Sequence, residues 1–193
     1  KRIALVGPTA HDARHVMVEG ESGILSIAPN WNRPDYEPSR RKLTWKNGAE
    51  AFTFSSEEAD RLRGPQFDLA WADELAAWTD PQTAWDMLML GLRLGQHPRW
   101  LATTTPRPIK LLKDLLTRKD VVISRATTFD NAANLAPTFL EAVKARYEGT
   151  RLGRQELNAE LLSDTPGALW QLDWLDKGRV ARAPELKRIV VAI

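Results

Sequence analysis

Cysteine is absent from the 193 residues. That excludes disulfides, thiolate metal sites and a cysteine nucleophile, and it fits a reducing compartment. Histidine is scarce, with only His11, His15 and His97. His11 and His15 have helical i, i+4 spacing, but neither a third ligand nor the Glu of a zinc-protease motif accompanies them, so no metal site is expected there. Long apolar runs are missing too. None approaches the ~18 residues of a membrane helix, and the apolar part of the opening KRIALVGPT is too short for a signal-peptide core. It reads as a strand. No membrane partner is expected. A phosphate-cradling G-x-x-x-x-G-K-[ST] loop occurs nowhere.

An excess of one sign of charge is also lacking, 27 Lys or Arg standing against 25 Asp or Glu for a net of +2, so distribution matters more than total. From Arg93 to Arg125 there are eight Lys or Arg against two Asp. Ser39–Lys42, SRRK, is a second basic cluster. Such patches suit a polyanion partner, although a solvated face has the same composition. Apolar residues make up 43% and charged residues 27%, the balance of a globular protein with a real core, at a length of one domain or one domain and part of another.

Short apolar runs alternate with turns and helical patterns. RIALV predicts a strand, and Thr9 caps a helix expected to reach about Val18. RKLTW and EAFTFS flank Asn47-Gly48 and predict a β-hairpin. SSEEADRL predicts a short capped helix, and FDLAWA a buried strand. Thr79 or Asp80 caps a helix to about Leu94, with Pro81 in its first turn. Then follow the strand RWLATTT, the helix RPIKLLKDLLTR, the strand VVISRATT, a helix ended by Gly149, the helix TRLGRQELNAELL, a link ARAPELK and a last strand RIVVAI. Apolar strands alternating with helices predict an α/β fold with a parallel sheet covered on both faces. Ligands of such sheets bind at the carboxyl ends of the strands.

Those ends carry Gly7-Pro8-Thr9, Asp73-Glu74, Thr103-Thr104-Thr105-Pro106 and Thr127–Asn131. An apolar strand ending in Asp-Glu suits one half of a nucleoside-triphosphatase site. Asp73 would hold Mg2+, and Glu74 would orient or deprotonate the attacking water, adjacent acids at a strand end diverging to serve the two tasks. The same two acids could simply open a loop or cap a helix. The apolar run before them and the Thr-rich strand end after them favour chemistry. Arg61 and Arg63 precede the strand. Either could reach a γ-phosphate in cis or across a subunit boundary, or pair with Glu57, Glu58 or Asp60 on the surface. Thr103–Thr105 could sense the γ-phosphate through their hydroxyls, or cap the following helix. Among the eight tryptophans, Trp71 and Trp100 fall inside apolar strands and read as core. Trp31 and Trp45 could stack on bases, but core or lid packing is the expected role.

With these residues in order, the chain resembles the large subunit of a phage terminase, the ATP-driven DNA-packaging motor of tailed phages and phage-like gene-transfer agents. The resemblance rests on VGPT, LRGPQFDLAWADELAAW, WLATTTPRP, TTFDNAANLAPTFLEAVKARYEGTRLGRQEL and GALW, in the family's order over most of the chain. It implies a P-loop NTPase-like sheet with a hairpin insertion, and ATP with Mg2+ as cofactors. Asp73 resembles the metal-binding aspartate, Glu74 the catalytic glutamate, and Arg63 the arginine finger that acts on a neighbouring subunit's ATP, with Arg61 in reserve. Thr103, Thr104 and Thr105 resemble the motif coupling hydrolysis to DNA movement. The implied partners are double-stranded DNA, the portal protein, the small terminase subunit and further copies in a ring. The implied place is the bacterial host's cytoplasm, docked on the procapsid portal.

Two departures from the family pattern shape the expectation. The phosphate loop and its lysine, which in the family precede the position of Lys1, are missing. The family's RNase H-like nuclease begins with a strand ending in a metal-binding Asp, and RIVVAI resembles that strand without its acid. The expectation is therefore an internal piece: ATPase domain at 1–165, linker at 166–187, start of the nuclease at 188–193. By itself it would show little ATP hydrolysis and no DNA cleavage, nuclease metals belonging to the intact protein. The alternatives are a helicase-like translocase and a nucleotide-dead DNA-binding or assembly module.

Overall fold

A computed structural model describes residues 1–162, 169–170, 174 and 178–180. Its framework is a six-stranded mixed sheet in the order β2-β3-β4-β1-β5-β6. Strands β1 (Arg2–Gly7), β4 (Glu50–Ser55), β5 (Leu69–Ala72) and β6 (Arg99–Ala102) run parallel to one another. β2 (Asp35–Glu37) and β3 (Lys42–Thr44) extend the sheet antiparallel beyond β4. The expected hairpin is β3–β4, and Gly48 supplies its left-handed turn residue at φ 79°.

Alternation along the strands builds two cores. Ala4, Val6, Ala70 and Ala72 face one side, where α3 (Pro81–Gly91) and α4 (Lys110–Thr117) bring Trp85, Leu88, Leu111 and Leu115 against Phe67 and Trp78. Leu5, Leu43 and Ala51 face the other, covered by Ala13 of α1 (Ala10–His15) and by Met17 and Val18, with Ile24 of the short α2 (Ile24–Ile27) alongside. Helices thus lie on both faces, as the strand pattern requires. Trp100 packs edge-to-face on Trp85 at 4.9 Å, and Trp71 packs on the second core with its buried indole Nε1 unpartnered among the described residues. Trp45 lies against the same core, whereas Trp31 is 79% exposed and packs in neither.

Local signals set the helix starts. Thr9 Oγ1 accepts from the Asp12 amide, Asp80 Oδ1 from the Thr83 amide, and Ser55 Oγ from the Glu57 amide at the head of the 3-10 helix Ser56–Leu62. The helices end earlier than their patterns suggest: α1 stops at His15, short of Val18, and α3 at Gly91, short of Leu94. α5 (Pro137–Tyr147) is followed by Gly149 at φ 77°, and α6 is confined to Arg151–Glu156.

One expected strand is absent. Residues 121–126 of VVISRATT form no ladder, with Val122 97% exposed. A strand exists only through a neighbour's hydrogen bonds, and among the described residues none pairs with this segment or with the outer side of β6. The expected domain boundaries and RIVVAI fall on residues outside the described set. No described helix is long and apolar enough to cross a membrane.

Candidate functional site

The parallel strands place their carboxyl ends on one edge. β1 turns into α1 at Gly7, where a Cβ would lie 2.8 Å from the Ala13 nitrogen, so glycine lets the helix pack directly on the strand. The hydroxyls of Ser55 and Ser56, at the end of β4, donate to the Pro8 carbonyl at 3.3 and 2.8 Å. The Asp73 amide donates to the Val6 carbonyl at 2.8 Å, which carries the ladder one residue past β5.

Asp73 and Glu74 then meet the end of β6. Thr103 Oγ1 donates to Asp73 Oδ1 at 2.5 Å. The Thr105 amide donates to Glu74 Oε2 at 3.3 Å. Thr104 Oγ1 accepts from the Ala76 amide at 3.0 Å. The two acids were expected to diverge. Both instead engage Thr103–Thr105, because Glu74 leaves the strand in the left-handed region, at φ 48° and ψ 49°. The Asp73 carbonyl accepts from the indole Nε1 of Trp78 at 2.9 Å. Neither the backbone turn nor the part played by Trp78 is evident in the sequence. A Trp five residues after an acid is no signal by itself.

The other candidates lie apart. Arg63 is exposed, follows the 3-10 helix and makes no ion pair with a described residue. Arg61 pairs with Glu58 at 3.3 Å, the surface arrangement foreseen as its alternative. Thr127 is not at a strand end. It closes a local turn, its amide and hydroxyl donating to Asp130 at 2.7 and 2.8 Å, and the amide holds that carboxyl below the usual carboxylate range. Between this turn and Thr104–Pro106 lies a cavity of about 420 Å³, also bounded by Phe139 and Gln155. His11 and His15 stack with centroids 4.4 Å apart. Among the described residues no group of three or more His, Cys, Asp or Glu is arranged to hold a metal.

The model of the terminase large subunit, T4likevirus-type, N-terminal, matches residues 1–177. The chain belongs to the large terminase family. No curated protein resembles this terminase chain closely enough to count as a match. Among solved structures, it is similar to the large terminase of a thermophilic bacteriophage in complex with ADP, with a TM-score of 0.65 at 16% identity, over 83% of this chain and 40% of that one. It is also similar to the large terminase ATPase domain of Thermus phage P74-26, with a TM-score of 0.59 at 17% identity, over 83% and 76%. At these identities the likeness is one of fold. The chain spans 40% of the length of the ADP-bound protein.

The donors at the strand ends fit a hard cation. Mg2+ takes one or two carboxylates and fills its remaining positions with water and phosphate oxygens. The half-buried Asp73 carboxylate, already bonded to a hydroxyl, is an oxygen donor of the kind such an ion takes. The residues of this terminase chain fit the acid side of a nucleotide site. They include no glycine-rich phosphate cradle with its lysine.

Proposed function

We propose that this chain is the ATP-hydrolysing part of a DNA-packaging motor, in which ATP hydrolysis moves double-stranded DNA into a preformed capsid. The observation that carries the reading is the pair Asp73–Glu74 at the end of β5, with both carboxylates bonded to the Thr103–Thr105 end of β6. In this reading Asp73 holds Mg2+ and Glu74 orients and deprotonates the attacking water. Mg2+, when bound, neutralises charge developing on the phosphates. Thr103, through its hydroxyl on Asp73, reports the state of that acid to β6 and thence to α4. The ADP bound in the similar phage protein supports a nucleotide ligand.

The wider assignments are proposed on the pattern of the family. The native protein would work as a ring on the portal, in the host cytoplasm, with the small terminase subunit presenting DNA. Endonuclease cleavage would reside in a domain beginning near 188, after a 1–165 ATPase domain and a 166–187 linker. Arg63, exposed and without an ion pair among the described residues, serves as the finger on a neighbour's nucleotide.

The test is Glu74→Gln in the native-length protein. ATP binding should persist while steady-state turnover falls by at least ~10²-fold, the scale of losing a general base. Near-wild-type hydrolysis would remove Glu74 from the role and leave a DNA-binding or assembly module as the better reading. Arg63→Ala should abolish turnover in the assembled ring, by roughly 10³-fold or more for a finger. Equal impairment of the isolated monomer would rule out action in trans.

A further inference from the structure

Glu74 is the one acid at the site with an unusual backbone. A non-Gly residue in the left-handed region is uncommon, and it persists where its surroundings over-determine it. Four hydrogen bonds do so here. The Leu75 amide donates to the Thr103 carbonyl at 3.0 Å, and the Ala77 amide to the Glu74 carbonyl at 2.8 Å. The other two use side chains. Trp78 Nε1 donates to the Asp73 carbonyl before Glu74, and Thr104 Oγ1 accepts from the Ala76 amide after it. Both side chains are themselves fixed. Trp78 is buried in the core beside Leu75. The Thr104 hydroxyl donates onward to the Thr105 carbonyl at 2.9 Å, which aims its lone pair at Ala76.

The consequence concerns direction. Successive residues of a strand point to opposite faces. An extended Glu74 would therefore carry its carboxylate away from the face used by Asp73. The left-handed turn brings it back to the Thr105 amide, two residues from the Thr103 hydroxyl that holds Asp73.

We propose that Trp78 and Thr104 are positioning residues, a clamp that holds the turn at Glu74 and so brings its carboxylate to the same strand end as Asp73. The inference rests on the ATPase reading above. Neither residue touches the reacting atoms. Their effect passes through Glu74, so it falls on the rate of the chemical step and not on nucleotide binding.

The experiment uses the native-length protein with three substitutions. Thr104→Val keeps the shape and loses the acceptor. Thr104→Ser keeps the acceptor. Trp78→Phe keeps a ring and loses the N–H. Thr104→Val and Trp78→Phe should each lower kcat for ATP by about 10-fold or more, within the ~10²-fold cost of a misplaced catalytic group. KM should stay within about twofold, and Thr104→Ser should restore turnover. Without nucleotide, hydrogen exchange at the Ala76 amide should be at least about 10-fold faster in Thr104→Val than in wild type or Thr104→Ser. Wild-type kcat in Thr104→Val, a Thr104→Ser as impaired as Thr104→Val, or a raised KM with unchanged kcat would overturn the clamp. Should Thr104→Val fail to fold, Trp78→Phe and Thr104→Ser decide by the same criteria. Glu74→Gln, run alongside, separates the two levels. If it is inactive and Thr104→Val is not, the clamp alone falls. If it turns over normally, the site reading falls and the inference with it.

Discussion

The two ends of the sheet make opposite uses of the same residue types. At the hairpin end the cluster Arg40-Arg41-Lys42 is spoken for: Arg40 pairs with Glu37 at 3.4 Å, Arg41 with Glu58 at 3.2 Å and Lys42 with Glu50 at 2.6 Å. At the β6–α4 end, Arg118 is the one cation of the Arg93–Arg125 stretch in an ion pair among the described residues, with Asp120 at 2.6 Å. Arg107, Lys110 and Lys113 are exposed and, among the described residues, unpaired. Apolar side chains divide likewise. Leu43 and Ala51 of the hairpin are fully buried, while Leu101 of β6 is 60% exposed and Val122 almost wholly so. Two basic runs that look alike in sequence thus differ in what they offer a polyanion. A cation already neutralised by a carboxylate has little field left, whereas unpaired ones add theirs.

The largest expected effect tests this difference directly. In the native-length protein, replacing Arg107, Lys110 and Lys113 together by Ala should reduce the slope of log K against log salt for duplex DNA by about 2–3, at ~0.9 for each phosphate no longer neutralised. Arg40→Ala with Arg41→Ala should change it by less than about 0.5. Anisotropy titrations across a salt series measure both, and equal losses would erase the distinction. Next in size is packing. Leu43→Ala, at a fully buried position, should cost about 2–5 kcal/mol in urea unfolding. Val122→Ala should stay within about 0.5 kcal/mol; a large cost there would mean that the segment is covered.

The smallest concerns pH. Lys42, by a hydrogen bond to Glu50, holds that carboxyl below the usual carboxylate range. A depressed folded-state pKa stabilises above the unfolded value, and the contribution disappears as pH falls through the folded one. The stability advantage of wild type over Glu50→Gln should therefore be full at neutral pH and shrink below about pH 4. An advantage that grew on acidification would contradict the pairing.

What was legible in the sequence was what short-range chemistry decides. Thr9, Ser55 and Asp80 are caps because each oxygen meets an amide two or three residues away, and Asn47-Gly48 turns a hairpin on its own φ requirement. β2 was missed because Asp35-Tyr36-Glu37, set between Pro34 and Pro38, has no strand character until β3 pairs with it. The converse error came at Val121–Ala126, where β propensity is high but a partner is needed. At the site, the convergence of Asp73 and Thr103 followed from strand ends sharing an edge. The left-handed Glu74 and its hold by Trp78 and Thr104 did not, because contacts between β5, β6 and the core decide that conformation, and no local pattern encodes them.

The register of β1 has a consequence for how this molecule assembles. β1, an inner strand of the parallel set, is the first of the six in sequence order, with Ile3 beside Ala51 on one flank and Leu69 on the other. The hairpin closes over a handful of residues, from Thr44 to Glu50. β1 must bring together distant segments before its apolar contacts repay the closure entropy. The local hairpin is therefore expected to form ahead of the centre of the sheet, where β1 waits on partners far along the chain.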